Sequence, residues 1–168
     1  MTEPTPGRLY RVLFICTQNS ARSIMAEALL NHLAADRFAA ASAGSHPAGA
    51  VHPMALQTLD KLRVPAEGAR SKDWAEFARP GAPAQDFVLT VCDKAAGEAC
   101  PAWPGQPMTA HWGVPDPAAV SGDEATRRRA FQDAAVVLKR RIELMLSLPM
   151  AALDRMALQR ELREIGTR

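Results

Sequence analysis

The stretch Val12-Leu13-Phe14-Ile15-Cys16-Thr17-Gln18-Asn19-Ser20-Ala21-Arg22-Ser23 governs the reading of this chain. Four apolar residues run directly into a cysteine, five residues separate Cys16 from Arg22, and Ser23 follows. Beyond it, Ile24, Met25, Ala28, Leu29 and Leu33 recur at helical spacing. The pattern predicts a buried strand over residues 10–15, a tight loop, and a helix over residues 23–33. A thiol then stands at the carboxyl end of a strand. The backbone N–H groups of Thr17, Gln18, Asn19, Ser20, Ala21, Arg22 and Ser23, with the Arg22 guanidinium fork, can surround a tetrahedral oxyanion.

A free cysteine at a strand end is commonly a small buried hydrophobe. Here cysteine, arginine and serine stand in register between a strand and a helix, which points to chemistry instead. The thiolate is the nucleophile, and a helix N-terminus with loop N–H groups favours the anion. Arg22 adds a permanent charge with bidentate geometry. Ser23 can donate its hydroxyl to the sulfur, and Asn19 can brace the loop through its side chain.

Outward from this stretch, strand and helix patterns alternate. Residues 38–43 read as a strand closed by Gly44, and residues 53–62 as a helix with Pro53 in its first turn. Residues 71–78 hold a short helix, residues 80–83 break the chain, and residues 86–91 form a third strand. A long loop over 92–105 leads to a fourth strand at 108–112, then to Asp116-Pro117 and an amphipathic helix over 123–147. Past Pro149, Met150, Leu153, Met156, Ala157, Leu158, Leu162 and Ile165 suggest a terminal amphipathic helix. Such alternation implies a parallel sheet with right-handed crossovers, whose ligands bind beyond the carboxyl ends of the strands. Cys16, Cys92 and Asp116 each follow a strand and should gather at that edge.

Length and composition set outer limits. A chain of 168 residues with 48% hydrophobic residues fits one packed domain. A net charge of +2 gives no argument for nucleic acid as a partner. The basic runs Arg127-Arg128-Arg129 and Lys139-Arg140-Arg141 lie among Asp123, Glu124, Asp133 and Glu143 and read as a solvated helix face. No apolar run approaches the roughly 18 residues of a membrane span. Residues 1–8 lack the features of a signal peptide and are read as a flexible lead-in, placing the protein in the cytoplasm. Three cysteines do not make a disulfide framework; in a reducing compartment they are catalytic, metal-binding or buried.

Cys92 and Cys100 are separated by seven residues. A pair of thiols can supply two electrons by becoming a disulfide. A zinc site with His111 lacks four ligands at closed spacing, and Cys100 can also be a packing residue before Pro101. Asp116 can protonate a departing oxygen, or serve only as a turn residue before Pro117. His32, His46 and His52 show no ligand pattern, and Trp74, Trp103 and Trp112 read as packing or loop anchors.

Taken in order, residues 12–23, Met25-Ala26-Glu27, Ser42-Ala43-Gly44, residues 88–104, His111-Trp112-Gly113 and Asp116-Pro117 resemble the low-molecular-weight tyrosine phosphatase superfamily. Within it the chain is more similar to the phosphatase-like arsenate reductases, over roughly residues 9–146. The resemblance implies an α/β three-layer sandwich, a four-stranded parallel sheet flanked by helices, with a C-terminal helical extension. The implied divisions are a flexible N-terminus at 1–8, a reductase domain at 9–147 and the extension at 148–168.

The resemblance also implies a chemistry. Cys16 forms a thiol–arsenate adduct while Arg22 holds the anion and Asp116 acts as acid. Cys92 and then Cys100 carry a disulfide outward. Thioredoxin, or glutathione with glutaredoxin, restores the thiols, phosphate competes with arsenate, and no resident cofactor or metal is implied. In some arsenate reductases the positions of Asn19, Glu27 and Ser42 help form a cation site whose further acidic ligand is expected after Ser71. Here Lys72 stands there, followed by Asp73, so a lysine ammonium in place of the cation is one reading and a surface lysine the other. Two other functions remain open. One is a tyrosine phosphatase working through a Cys16 phosphoenzyme, although Ala118 and Ala119 replace the aromatic residues such phosphatases carry there. The other is a non-catalytic oxyanion-binding or redox-sensing protein. The extension either covers the sheet or pairs two subunits as a homodimer.

Overall fold

Strand β1 (Tyr10–Cys16) is central because its side chains are apolar on both faces. Val12, Leu13, Phe14 and Ile15 are all fully buried, which explains why the stretch does not alternate. The computed structural model describes residues 9–93 and 101–168. Cys100 lies outside the described residues.

Beside β1 stand β2 (Phe38–Gly44) and β3 (Phe87–Thr90), and β4 (Met108–His111) completes a four-stranded sheet of order β2-β1-β3-β4. All three pairings are parallel. Cys16 pairs with Gly44, Ile15 with Thr90, and Thr90 with His111, so the four carboxyl ends lie level. This is the edge to which the topology brings Cys16, Cys92 and the loop of Asp116.

Among the described residues the helices are α1 (Arg22–Ala34), α2 (Pro53–Lys61), a single turn α3 (Ala75–Ala78), α4 (Glu124–Leu146) and α5 (Arg155–Ile165). Helix α4 buries Phe131, Ala135, Leu138, Ile142 and Met145, a stripe three or four residues apart that packs against α1 and α2. Its start is set by Asp123, whose carboxylate accepts the Thr126 N–H at 2.8 Å. Among the described residues no helix is long and apolar enough to cross a membrane.

Two expectations need correction. The terminal helix begins at Arg155, not after Pro149, because Asp154 caps it by accepting the Ala157 N–H at 2.8 Å. Met156 therefore falls on the outer side, 82% exposed, while Leu158, Leu162 and Ile165 are buried, in a helix that packs on β4. The second basic run is not wholly solvated. Arg141 is buried and donates to the Gly113 carbonyl at 2.9 Å and the Arg168 carbonyl at 3.1 Å. It ties the end of α4 both to the loop after β4 and to the chain terminus.

Candidate active site

A loop of five residues, Thr17 to Ala21, joins β1 to α1. Its carbonyls are turned outward. The Thr17 oxygen accepts the His46 N–H at 2.8 Å, the Gln18 oxygen that of Ala48 at 2.9 Å, and the Ser20 oxygen that of His52 at 2.8 Å. The described peptide bonds are all trans, so each outward carbonyl turns the following N–H the other way. The N–H groups of Gln18, Asn19 and Ala21 thus face away from the 46–52 segment, and that of Asn19 reaches the Cys16 sulfur at 3.2 Å. Helix α1 adds its own first N–H groups, with Ala21 providing no side-chain cap and the first turn holding no acidic residue.

Asn19 is the pivot of the loop. Its φ is +48°, a left-handed conformation that asparagine tolerates better than most residues. Its side-chain oxygen accepts the Lys72 N–H at 2.9 Å and its amide nitrogen donates to Ser23 Oγ at 2.7 Å. With that oxygen accepting, the Ser23 hydroxyl proton is available to the Cys16 sulfur, 2.9 Å away. Two donors therefore face the sulfur of Cys16, a residue that is 2% exposed. Gly44 lets β2 approach this closely, since a Cβ there would stand 2.5 Å from the Thr17 carbonyl oxygen and 3.0 Å from the Asn19 nitrogen.

The second thiol meets the same loop. Cys92 is 2% exposed; the Thr17 N–H donates to its sulfur at 3.2 Å, and Thr17 Oγ1 lies at 3.4 Å. Thr17 follows Cys16 directly, so the two thiols engage neighbouring residues. Arg22 spans toward the third component. One guanidinium nitrogen donates to the Val114 carbonyl at 2.9 Å and the other lies 3.8 Å from the Asp116 carboxylate. The other Asp116 oxygen accepts the Ala118 N–H at 3.0 Å and caps a short 3-10 turn, Pro117–Ala119. Asp116 is thus a turn residue as well as an acid facing the arginine.

Behind the loop lies Lys72, which is buried. Its Nζ donates to the Arg70 carbonyl at 2.9 Å and to Ser42 Oγ at 3.4 Å, with the Glu27 carboxylate at 3.9 Å. Burial pushes the Glu27 carboxyl above its usual range, moderated by Lys72 and by hydrogen bonds from Ser42. Burial likewise pulls the Lys72 ammonium below its ordinary value, with Glu27 opposing. The four residues Asn19, Glu27, Ser42 and Lys72 thus form one supporting cluster. Among the described residues no group of His, Cys, Asp and Glu is arranged to hold a metal ion.

Residues 11–161 match the family model described as low molecular weight phosphotyrosine protein phosphatase. The chain belongs to this family. The match runs through α4 and into α5. An arsenate reductase of Shouchella clausii is 33% identical over 125 residues, which is 72% of this chain and 84% of that one. A solved arsenate reductase of Archaeoglobus fulgidus is 30% identical with a TM-score of 0.58, covering 79% of this chain and 98% of that one. The thioredoxin-dependent arsenate reductase of Corynebacterium glutamicum is 27% identical with a TM-score of 0.55, covering 83% of this chain and 65% of that one. The chain is an enzyme of this phosphatase family and shares its four-stranded parallel sheet.

Within the family frame, the structure brings Cys16, Arg22, Asp116 and Cys92 to one edge and sets Glu27, Ser42 and Lys72 beneath it. Sequence reasoning overlooked the Thr17 side chain, the outward anchors at His46, Ala48 and His52, and the contact of Asp93 with His111 Nε2 at 2.7 Å. A loop whose carbonyls need external donors could have signalled the anchors, because buried backbone groups must find partners.

Proposed function

We propose that this enzyme reduces arsenate to arsenite by a thiol relay that starts at Cys16. One observation carries the reading: a second thiol, Cys92, takes the Thr17 N–H beside the nucleophile. Phosphate-ester hydrolysis has no use for it. The arsenate reductase relatives support the same conclusion.

Arsenate binds in the loop, held by backbone N–H groups and Arg22. The Cys16 thiolate attacks arsenic; a sulfur–arsenic bond forms and hydroxide leaves as water with a proton from Asp116. The Cys92 thiolate attacks the Cys16 sulfur. A Cys16–Cys92 disulfide forms, and the sulfur–arsenic electron pair stays on arsenic, which falls from the +5 to the +3 state and departs as arsenite. Cys100 then attacks Cys92, releases the Cys16 thiolate and leaves a Cys92–Cys100 disulfide. A dithiol protein such as thioredoxin, or glutathione with glutaredoxin, returns the two electrons. The thioredoxin-dependent relative favours the first donor. Throughout, the Lys72 ammonium serves in place of a metal cation, so turnover should be indifferent to potassium.

The test follows arsenate-dependent NADPH oxidation with a thioredoxin or a glutaredoxin couple. Cys16→Ser and Cys92→Ser should each abolish it, whereas full turnover by Cys92→Ser removes the relay. Loss on Cys100→Ser selects the three-thiol route, and retention selects glutathione. A phosphatase reading keeps one favourable observation, an apolar hollow of about 290 Å³ beside Asp116, lined by Val114, Pro117, Val120 and Val137. Ester cleavage without arsenate reduction would establish that reading.

A further inference from the structure

The Cys92 sulfur sits at the Thr17 N–H, next to Cys16, and the groups that hold the residues on either side of Cys92 set that position. The preceding residue is held by the sheet: the Val91 N–H donates to the Ile15 carbonyl at 2.8 Å, and the Val91 carbonyl accepts the Val114 N–H at 3.0 Å. Strand β3 itself ends at Thr90, and these two bonds carry the sheet's hold as far as Val91. The residue after Cys92 is held by a side chain. The Asp93 carboxylate lies 2.7 Å from His111 Nε2, and His111 Nδ1 lies 2.7 Å from the Thr90 hydroxyl.

These groups form a continuous chain from Asp93 to Thr90. The carboxylate accepts the Nε2 proton, and the Thr90 hydroxyl, able to donate or accept, meets Nδ1 on the other side of the ring. The ring is thereby fixed at both nitrogens. Room for it comes from Gly113, where a Cβ would stand 2.6 Å from both the Asp93 carboxylate and His111 Nε2. The same glycine is fixed from behind by Arg141, which donates to its carbonyl. Asp93 and His111 are exposed, with side-chain exposures of 94% and 40%. An exposed pair contributes little to stability. Three elements nevertheless converge on it, and its effect falls on the residue that it brackets.

We propose that His111 is a positioning residue for Cys92, acting through Asp93 to keep the second thiol at the Thr17 N–H in the reduced enzyme. The proposal rests on the relay reading for its consequence and on geometry for its existence. Cys16, Arg22 and Asp116 carry out the first displacement without Cys92, so the clasp touches only the second step.

Three readouts test it. Single-turnover arsenite release should fall about tenfold to a hundredfold in His111→Ala, the penalty of displacing a reacting group by about an ångström. Hydrolysis of p-nitrophenyl phosphate should stay within about twofold, since it uses no group the clasp positions. Asp93→Ala should match His111→Ala, the double variant should lose no more than either, and Asp93→Asn, which keeps an acceptor for the ring, should restore most of the rate. A parallel fall in ester hydrolysis would overturn the proposal by showing that His111 acts on the acid loop; unchanged arsenite release in both single variants would overturn it by showing an idle clasp.

The third readout does not need arsenate. In a Cys16→Ser/Cys100→Ser background, iodoacetamide alkylation of Cys92, followed by mass spectrometry, should quicken about tenfold when His111→Ala is added, because the thiol loses its fixed buried position. An unchanged rate sinks the clasp whatever the substrate is. Quickened alkylation in an enzyme that leaves arsenate untouched would refute the arsenate reading alone.

Discussion

Lys72 shows what a single residue can do behind the loop that follows Cys16. Its ammonium is out of water, yet it meets a carbonyl, a hydroxyl and a carboxylate. Burial opposes charge on both members of the pair, raising Glu27 and lowering Lys72. The signs follow. Above 4.5 and up to the raised Glu27 value, the folded state holds a proton that the unfolded state has lost, so this group weakens the fold as pH rises through that window. Between the lowered Lys72 value and 10.5 the unfolded state holds the extra proton, and stability rises with pH there. Lys72→Met removes the charge that moderates Glu27. The variant should lose about 1–3 kcal/mol near neutrality, where a buried carboxylate stands alone, and less at pH 4.5, where the raised pKa leaves Glu27 mostly protonated. Urea unfolding at the two pH values checks this, and equal losses would mean that the ion pair is idle. Adding Glu27→Gln should recover most of the neutral-pH loss.

At the scale of elements, β1 and the start of α1 were readable because the information is local. An apolar run, a thiol and a guanidinium at fixed covalent spacing need no partner to be recognised. Helix ends were less so: Asp154, not Pro149, starts α5, because a side-chain acceptor for an unpaired N–H outweighs the apolar pattern of Met150 and Leu153. Gly44 was read as the close of a strand, whereas its lack of a side chain lets the Thr17–Asn19 backbone approach. Gly44→Ala should cost about 1–3 kcal/mol, the usual range for forcing extra atoms into a packed site. It should lower ester hydrolysis and arsenate reduction together, because the shift displaces Asn19 and with it the Cys16 sulfur. Thermal unfolding and both assays measure the two effects; an active, destabilised variant would show that the loop adapts.

At the scale of the whole molecule, the extension belongs to the sheet. The Trp112 ring is fully buried and its indole N–H donates to the Leu162 carbonyl at 2.9 Å. Gly166 lies so close to the His111 carbonyl that any Cβ would overlap it. Gly166→Val should therefore lift the end of α5 from β4, cost about 1–3 kcal/mol, and open the β4 amides to hydrogen exchange. Deleting residues 149–168 should expose the same amides without a steric insult; continued protection in both variants would show that α5 is dispensable to the sheet. The two sequence readings of the tail were a cover for the sheet and a dimer contact. Its apolar residues Leu158, Leu162 and Ile165 are spent on the former, and the pattern could not distinguish them because both uses bury the same stripe.

The amino-acid order by itself determined the parallel α/β arrangement, the strand–loop–helix around Cys16, and the list of groups that meet at its edge. Each depends on spacing along the chain, which periodicity and turn residues express directly. Tertiary structure alone decided which groups touch: Cys92 with Thr17, Asn19 with Lys72, Arg22 with the Asp116 loop, Arg141 with Gly113, and His111 with Asp93. Apart from that last pair and Arg141–Gly113, these partners lie more than fifty positions apart, and each contact depends on how the strands and helices pack, a relation that local pattern does not encode.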